Sequence, residues 1–466
     1  MSDTIGRMTE KKSPRGLIVS MFLLALVAAA AIAFFKYYER EKPQVSFLGD
    51  ISTFGLTKEV QFTVSDSRSG ISLVAITLSQ GDKSATIYEK KFSRLGFFEH
   101  NGPKKLAETV MLESGAFGFR DGAAELQVIV RDFSFWNWME GNETRLTYPV
   151  TMDTRPPRIA ILHSTRYVSP GGSGMVVYSI DDTVAQHGLT VNGHFNPGFP
   201  VSGEEDNRFV AFFGIPHDTE KIDKAMVSAT DPAGNTGLAA FGMILKKQNI
   251  SPDRINISDS FLNRKIPEFA QVYPQLNGSL AEQFVYVNSI IREENYQAIL
   301  QAVANPSPLR MWQGPFARMA RSSRMAGFAE SRDYYYNNEK IDSQVHLGID
   351  LASTRQAEVH AANRGNVVFA DYLGIYGNTV ILDHGQGIFS LYSHLSQIGV
   401  AVGESKEKDA LLGLSGATGM AGGDHLHFSI LVNGIFVSPL EWWDKQWLQL
   451  NIDDILYGGK PGLRKF

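Results

Sequence analysis

Two short stretches near the C-terminus constrain this chain most: His346-Leu-Gly-Ile-Asp350 and His425-Leu-His427. On a β-strand successive side chains alternate between faces, so positions 346, 348 and 350 share one face and Leu347, Ile349 and Leu351 the other. Gly348 between the two polar residues would leave room for an ion beside an imidazole and a carboxylate. A helix also brings i and i+4 together, as in the HExxH zinc helices. The central Gly, the β-branched Ile and the missing glutamate after the first His argue against one here. The second stretch has the same logic, with His425 and His427 on one face and Leu426, Phe428 and Ile430 on the other. Two strands, apolar behind and His/Asp in front, can build one site, and three N/O ligands with one open position is the composition of a catalytic zinc site. Of the 11 histidines, six lie after residue 345, which favours a shared site over scattered surface histidines.

Further motifs follow in order: Gly377-Asn-Thr-Val-Ile-Leu-Asp383-His384-Gly385, Leu391-Tyr-Ser-His394-Leu395, Gly416-Ala-Thr-Gly419 and His425-Leu-His427-Phe428. Together with HLGID they resemble the lysostaphin-type zinc endopeptidases, which cut peptide cross-links of bacterial peptidoglycan. The resemblance covers residues 310–445, and five ordered motifs carry it. It implies an antiparallel β domain and Zn2+ held by His346, Asp350 and His427. His394 and His425 are implied as the catalytic histidines that assist the zinc-bound water and the transition state. It also implies peptidoglycan stem peptides as substrate. Zinc lowers the pKa of bound water from 15.7 to about 7 and polarises the scissile carbonyl. No glutamate lies in the motifs, so histidines must handle the proton and the oxyanion. His384 is expected to be structural and His360 a surface or packing residue. His100, His163, His187, His194 and His217 show no ligand spacing.

Residues 17–35, LIVSMFLLALVAAAAIAFF, contain no charge. At 1.5 Å per residue they span roughly 28 Å, close to a hydrocarbon core of about 30 Å. Arg7, Lys11, Lys12 and Arg15 precede them, which favours a cytoplasmic N-terminus over residues 1–16 and a single-pass inner-membrane anchor. The remainder would then lie in the periplasm or cell-wall space. A cleaved signal peptide ending near Ala31-Ile-Ala33 is the alternative, although the apolar run of a signal peptide reaches only about 15 residues and this one is longer. The chain has no cysteine, which excludes thiolate metal sites and disulfides. A net charge of -5 gives no basic excess for nucleic acid.

With 466 residues there is room for about three domains. Residues 45–153 and 154–247 read as strands separated by Gly, Ser and Asp clusters. They echo each other: Asp132 with Asn137 follows a strand in the first, and Asp231-Pro-Ala-Gly-Asn235 in the second, the latter similar to the last turn of bacterial immunoglobulin-like domains. The expectation is two tandem immunoglobulin-like β-sandwiches, serving as a spacer or as a surface for an envelope protein partner. Phe133 to Phe135, Trp136 and Trp138 are expected to pack as an aromatic strand end rather than to form an open platform. Residues 248–308 read as a helical connector, with a short helix near 258–266 and a long one opened by the capping box Ser279-Leu-Ala-Glu282.

Residues 309–445 form the metallopeptidase domain of this mainly β chain, and 446–466 a polar surface tail. Arg318, Arg321 and Arg324 read as a solvated face. Tyr334 to Tyr336 with Asn337 and Asn338 reads as strand and turn, the sharper option being an Asn that fills the open zinc position in a latent form. The function expected is a zinc-dependent peptidoglycan endopeptidase. The alternatives are a non-enzymatic regulator of wall hydrolases or a zinc peptidase acting on an envelope protein.

Overall fold

The computed structural model describes residues 14–95, 101–201, 207–246 and 253–458. Arg7, Lys11, Lys12, His100 and the terminal Gly462–Phe466 stretch lie outside these residues. The described chain is strand-rich and divides into two compact units, Met1–Pro156 with Thr230–Asn235, and Pro157–Ala229 with Thr236–Phe466.

The first unit opens with the helix Pro14–Tyr37, whose segment Arg15–Phe35 is apolar and buries none of its surface in protein. By length and composition these 21 residues are able to cross a bilayer, a test that a signal sequence also passes. Two sheets follow. One joins Gln44–Leu48, Thr57–Ser65 and Lys105–Glu113, and the other has the order Thr53–Phe54, Glu143–Met152, Gly122–Asp132, Ile71–Gln80, Lys83–Lys91. Alternation places Val60, Phe62 and Val64 of the first sheet against Val74, Ile76, Leu126 and Val128 of the second, all buried. The echo between the two Asp-to-Asn turns is real but uses a different residue. Asp132 accepts from the backbone N–H and side-chain amide of Asn142, both at 2.8 Å, as Asp231 does from those of Asn235 at 2.9 Å. Asn137 instead lies in a tight turn in which Asn137, Trp138 and Met139 all have positive φ. That turn throws Trp138 into solvent, 96% exposed, so only Phe133 of the aromatic cluster joins a packed interior.

In the second unit, one sheet has the order Phe199–Pro200, Arg208–Gly214, Ser173–Ile180, Ile159–Ser164, and the other His194–Pro197, Gln186–Val191, Ala225–Thr230, Thr236–Ala240. Two of these strands are apolar along nearly their whole length because both of their faces are covered. Val176, Tyr178, Ala211 and Phe213 fill the core between the sheets. Met175, Val177, Val210 and Phe212 point the other way and share a core with Trp312, Phe428 and Trp442 of the C-terminal domain. This second pair of sheets is therefore packed onto the C-terminal domain as one body.

The C-terminal domain is built on an antiparallel sheet in the order Ser323–Ala326, Ile349–Ala352, Leu426–Val432, Ile388–Leu395, Asn378–Asp383, Gly365–Tyr372, Ser405–Lys406. Along Leu426–Val432 the even residues Leu426, Phe428, Ile430 and Val432 enter the core shared with the sandwich. The odd face carries His427 and Ser429 and ends at Leu431, which lies under the helices. Those helices are Asp259–Val272 and a continuous run made of Leu280–Tyr286, a π-helical turn Val287–Ile291 and Arg292–Ala302. Ser279 and Glu282 form the expected capping box. The first helix runs past Pro267 instead of stopping near 266, because Leu262, Ile266 and Phe269 are buried on one face and packing holds the turn that Pro leaves without a donor. Residues 447–458 are not a surface tail, and the rest of the expected tail, 459–466, lies outside the described residues. Leu448, Ile452 and Leu456 are buried in the main core, and Asp453 pairs with Arg310 at 2.8 Å in the interior. Their spacing of four is the apolar stripe of a helix, diluted in the sequence by the polar residues between.

Candidate metal centre

Three neighbouring strands position the site. Asp350 lies directly across from His427, and His427 across from Ser393. His346 arrives from elsewhere. It ends the strand Glu339–His346, which belongs to a separate sheet with Asp253–Asn256 and Glu330–Tyr336. The chain breaks at Leu347-Gly348 before Ile349–Ala352 begins, so His346 and Asp350 do not share one strand face, contrary to the expectation from alternation. The role of Gly348 differs accordingly. A Cβ there would lie 2.5 Å from His427 Cε1 and Nε2 and 2.6 Å from Ser429 Oγ, so the glycine admits the second imidazole rather than an ion.

His346 Nε2, Asp350 Oδ1 and His427 Nδ1 form a triangle with edges of 2.9, 3.0 and 3.0 Å. All three residues are buried. Each imidazole is fixed from behind. His346 Nδ1 donates to the Gly327 carbonyl at 2.7 Å, which leaves the Nε2 lone pair facing inward. Ser429 Oγ donates to the Leu347 carbonyl at 2.7 Å, so it accepts from His427 Nε2 at 3.1 Å and the Nδ1 lone pair faces inward. Two neutral imidazoles and one carboxylate, oriented by outer hydrogen bonds, are a donor set that fits a zinc ion. Burial alone would raise the Asp350 carboxyl, but its interactions with His346, His425 and His427 outweigh it and hold the group ionised. Burial pushes His427 down to about 4, keeping it neutral and able to act as a ligand.

The other two histidines flank this triangle. His425 Nδ1 donates to the Gly423 carbonyl at 2.8 Å, and its Nε2 lies 3.5 Å from Asp350 Oδ1. Burial lowers its pKa, but the bond to Asp350 prevails and the net shift is upward. His394 donates from Nδ1 to the Thr418 carbonyl at 2.9 Å, and its ring centre is 4.8 Å from that of His425. Burial holds it well below its ordinary pKa. His394 has φ +63, in the left-handed region a non-glycine residue seldom occupies, next to a register shift between Asn378 and Val380 on the paired strand. The bulge re-aims the side chain toward the centre, and the strained backbone is the kind that packing maintains at functional sites.

Several surrounding residues carried no sequence signal. Arg332 Nη2 reaches Asp350 Oδ2 at 3.4 Å from the hairpin before the first motif. Arg292, Tyr334, Tyr376 and Met420 complete a cavity of 160 Å³ around the histidines. Arg292 stands where the π-helical turn ends, an irregularity invisible in an apolar-periodic run. A second cavity of 600 Å³ shares Arg292 and Tyr376 and adds His217, Tyr296, Leu347 and Phe436. Asn337 and Asn338 take no part in either cavity. Both are exposed with positive φ and make the two-residue hairpin turn between Glu330–Tyr336 and Glu339–His346. His384 is fully buried and bridges the Arg364 carbonyl and Ser390 Oγ away from the centre, and His360 is at the surface. Arg318, Arg321 and Arg324 are all exposed.

Residues 344–439 match Peptidase family M23. The chain carries an M23 peptidase domain. Over 97 residues, 21% of this chain and 22% of the relative, it is 36% identical to the DD-carboxypeptidase/endopeptidase Mpg of Neisseria meningitidis. It is likewise 36% identical over 96 residues to the peptidoglycan DD-endopeptidase ShyA of Vibrio cholerae, covering 21% of this chain and 22% of that protein. The murein hydrolase activator EnvC of Escherichia coli is 34% identical over 95 residues, 20% of this chain and 23% of that protein. The match thus spans about a fifth of the length of these relatives.

Proposed function

We propose that this chain is a zinc-dependent endopeptidase that hydrolyses peptide cross-links of bacterial peptidoglycan. In this reading His346, Asp350 and His427 hold the metal, and His394 and His425 serve the reaction. The observation that carries it is the convergence of three inward-facing lone pairs within 3.0 Å of one another, each set by its own outer partner. Bound there, zinc supplies a Lewis acid that activates water and polarises a carbonyl.

The remaining chemistry belongs to the chain. His425 keeps Nδ1 on Gly423 and holds Nε2 beside Asp350, where the ring can donate to a developing oxyanion. His394, kept neutral by burial, keeps Nδ1–H on Thr418 and offers its other nitrogen to the same cavity as an acceptor for a proton from water. Arg332 adds positive charge beside Asp350, suited to the carboxylates of a wall peptide. The larger cavity, which shares Arg292 and Tyr376 with the centre, has room for several residues of a stem peptide. The helix Pro14–Tyr37 anchors the chain in the inner membrane, with the M23 domain on the outer side, where the substrate is.

A second reading, a regulator of wall hydrolases, draws on the similarity to EnvC. The complete set of five polar residues favours the enzyme. Purified full chain in detergent, incubated with sacculi, is expected to convert cross-linked muropeptide dimers into monomers, while His346→Ala is inert. Stimulation of a wall amidase without any conversion by the chain alone would overturn the enzyme reading in favour of the regulator.

A further inference from the structure

In the first unit, three carboxylates meet with no base among them. Glu39, two residues beyond the helix Pro14–Tyr37, comes together with Asp66 and Asp132 of the first sandwich. One oxygen from each lies within 4.8 Å of the others, and all three residues are buried. Among the described residues, no Lys or Arg lies within ion-pair distance of any of the three. Asp132 is satisfied by Ser134 and Asn142, and Glu39 accepts from the Ser69 backbone and the Ser67 hydroxyl.

Asp66 is different. Its Oδ2 accepts from the backbone N–H groups of Gly70 and Arg68, but Oδ1 is buried and meets no donor. The side chain, 7% exposed, projects into the cluster. Ser69 Oγ, on the residue whose N–H donates to Glu39, is also buried without a partner. Burying a carboxylate with an unused oxygen beside two others is costly unless something positive is shared among them.

We propose that Glu39, Asp66 and Asp132 form a binding site for a calcium ion that ties the segment leaving the N-terminal helix to the first sandwich. Calcium takes oxygen ligands in flexible geometry, and one oxygen of each carboxylate lies within 4.8 Å of the others, close enough for a single ion to reach all three. The set is all oxygen and carries several negative charges, with Ser69 Oγ as a neutral fourth oxygen. Magnesium, with its strict octahedron and its tendency to keep several waters, suits a buried set of protein oxygens less well. The site is independent of the M23 centre. Its consequence is mechanical: with calcium bound, Glu39 is held against Asp66 and Asp132, and the short arm after the helix is fixed. Without it, mutual repulsion of the three carboxylates loosens that arm. Burial, Glu39 and Asp132 all push the Asp66 carboxyl upward, as expected where a positive partner is wanted.

The test is titration of the zinc-loaded full chain in detergent with CaCl2, in metal-stripped buffer at pH 7.5, by isothermal calorimetry, with MgCl2 as a second arm. Wild type is expected to bind one more calcium equivalent than Asp66→Asn, with a Kd of about 10⁻⁴ to 10⁻³ M. Magnesium should bind at least ten-fold more weakly. Calcium should also slow proteolysis of the 38–44 segment in wild type and not in the variant. Asp66→Asn should fold without calcium, because it removes an uncompensated buried charge; Glu39→Gln, outside the sandwich strands, gives the same comparison should it not. Equal calcium stoichiometry in wild type and both variants would overturn the proposal, as would calcium binding without any change in proteolysis of the arm.

Discussion

Replacing Gly348 by Ala tests how the centre is assembled. The added Cβ would lie 2.5 Å from two atoms of the His427 ring and 2.6 Å from Ser429 Oγ, whereas ordinary contacts begin near 3.4 Å. The ring must therefore move by about 1 Å, or the Leu347-Gly348 bend must open by as much. Gly348 does not have a left-handed backbone, so alanine adds no conformational strain and the effect is steric alone. Overpacking of this kind costs about 1–3 kcal/mol of stability, which a core of this size tolerates. A displacement of about 1 Å at a reacting centre costs on the order of 100-fold in rate. It also pulls His427 Nδ1 out of a triangle whose edges are 2.9–3.0 Å. We expect Gly348→Ala to stay folded by circular dichroism, to lose zinc at concentrations that saturate wild type, and to release muropeptide monomers about 100-fold more slowly. A variant that keeps its zinc and acts within three-fold of wild type would refute the idea that this glycine exists to admit His427.

Three other substitutions probe the supports. Ser429→Ala removes the acceptor that fixes the His427 tautomer, and metal affinity measured by competition with a chelator should fall about 10- to 100-fold. Asp453→Ala strands the buried Arg310 guanidinium and should cost about 3–5 kcal/mol in urea unfolding of the M23 domain, against a negligible effect for an ordinary chain terminus. His384 is held neutral by burial, with its pKa pushed down to about 4. The unfolded chain takes up that proton below its ordinary pKa near 6.5, so stability is complete above that pH and is lost as pH falls from 6.5 toward 4. The loss amounts to about 3 kcal/mol for this one group. The pH dependence of unfolding should be correspondingly shallower over that window in His384→Gln.

Part of the centre was legible because Asp350 and His427 sit where strand alternation puts them. His427 with Leu426 and Phe428 behaves as period two requires, and the turn at Asn433-Gly434 is where its dipeptide signal places it. His346 escaped the same logic because a bend at Gly348 moves it to another sheet, and no local pattern marks such a break. His394 is aimed by a bulge, which depends on the partner strand rather than on its own sequence. Arg332, Arg292 and Tyr376 come from three separate segments, and only the folded chain brings them to one cavity. The apolar strands Ser173–Ile180 and Arg208–Gly214 signalled burial on both faces, but not which neighbour supplied the second face. The stretch after 446 looked like a tail because its buried apolar residues Leu448, Ile452 and Leu456 are interspersed with polar ones.

The most direct measurement of the central claim is zinc K-edge X-ray absorption on the purified full chain loaded with one equivalent of zinc. The account predicts two imidazole nitrogens at about 2.0–2.1 Å with oxygen completing the shell, a spectrum that changes in Asp350→Asn and is lost with the metal in His346→Ala. Zinc that does not bind at equimolar concentration, or a spectrum unchanged by either substitution, would contradict it.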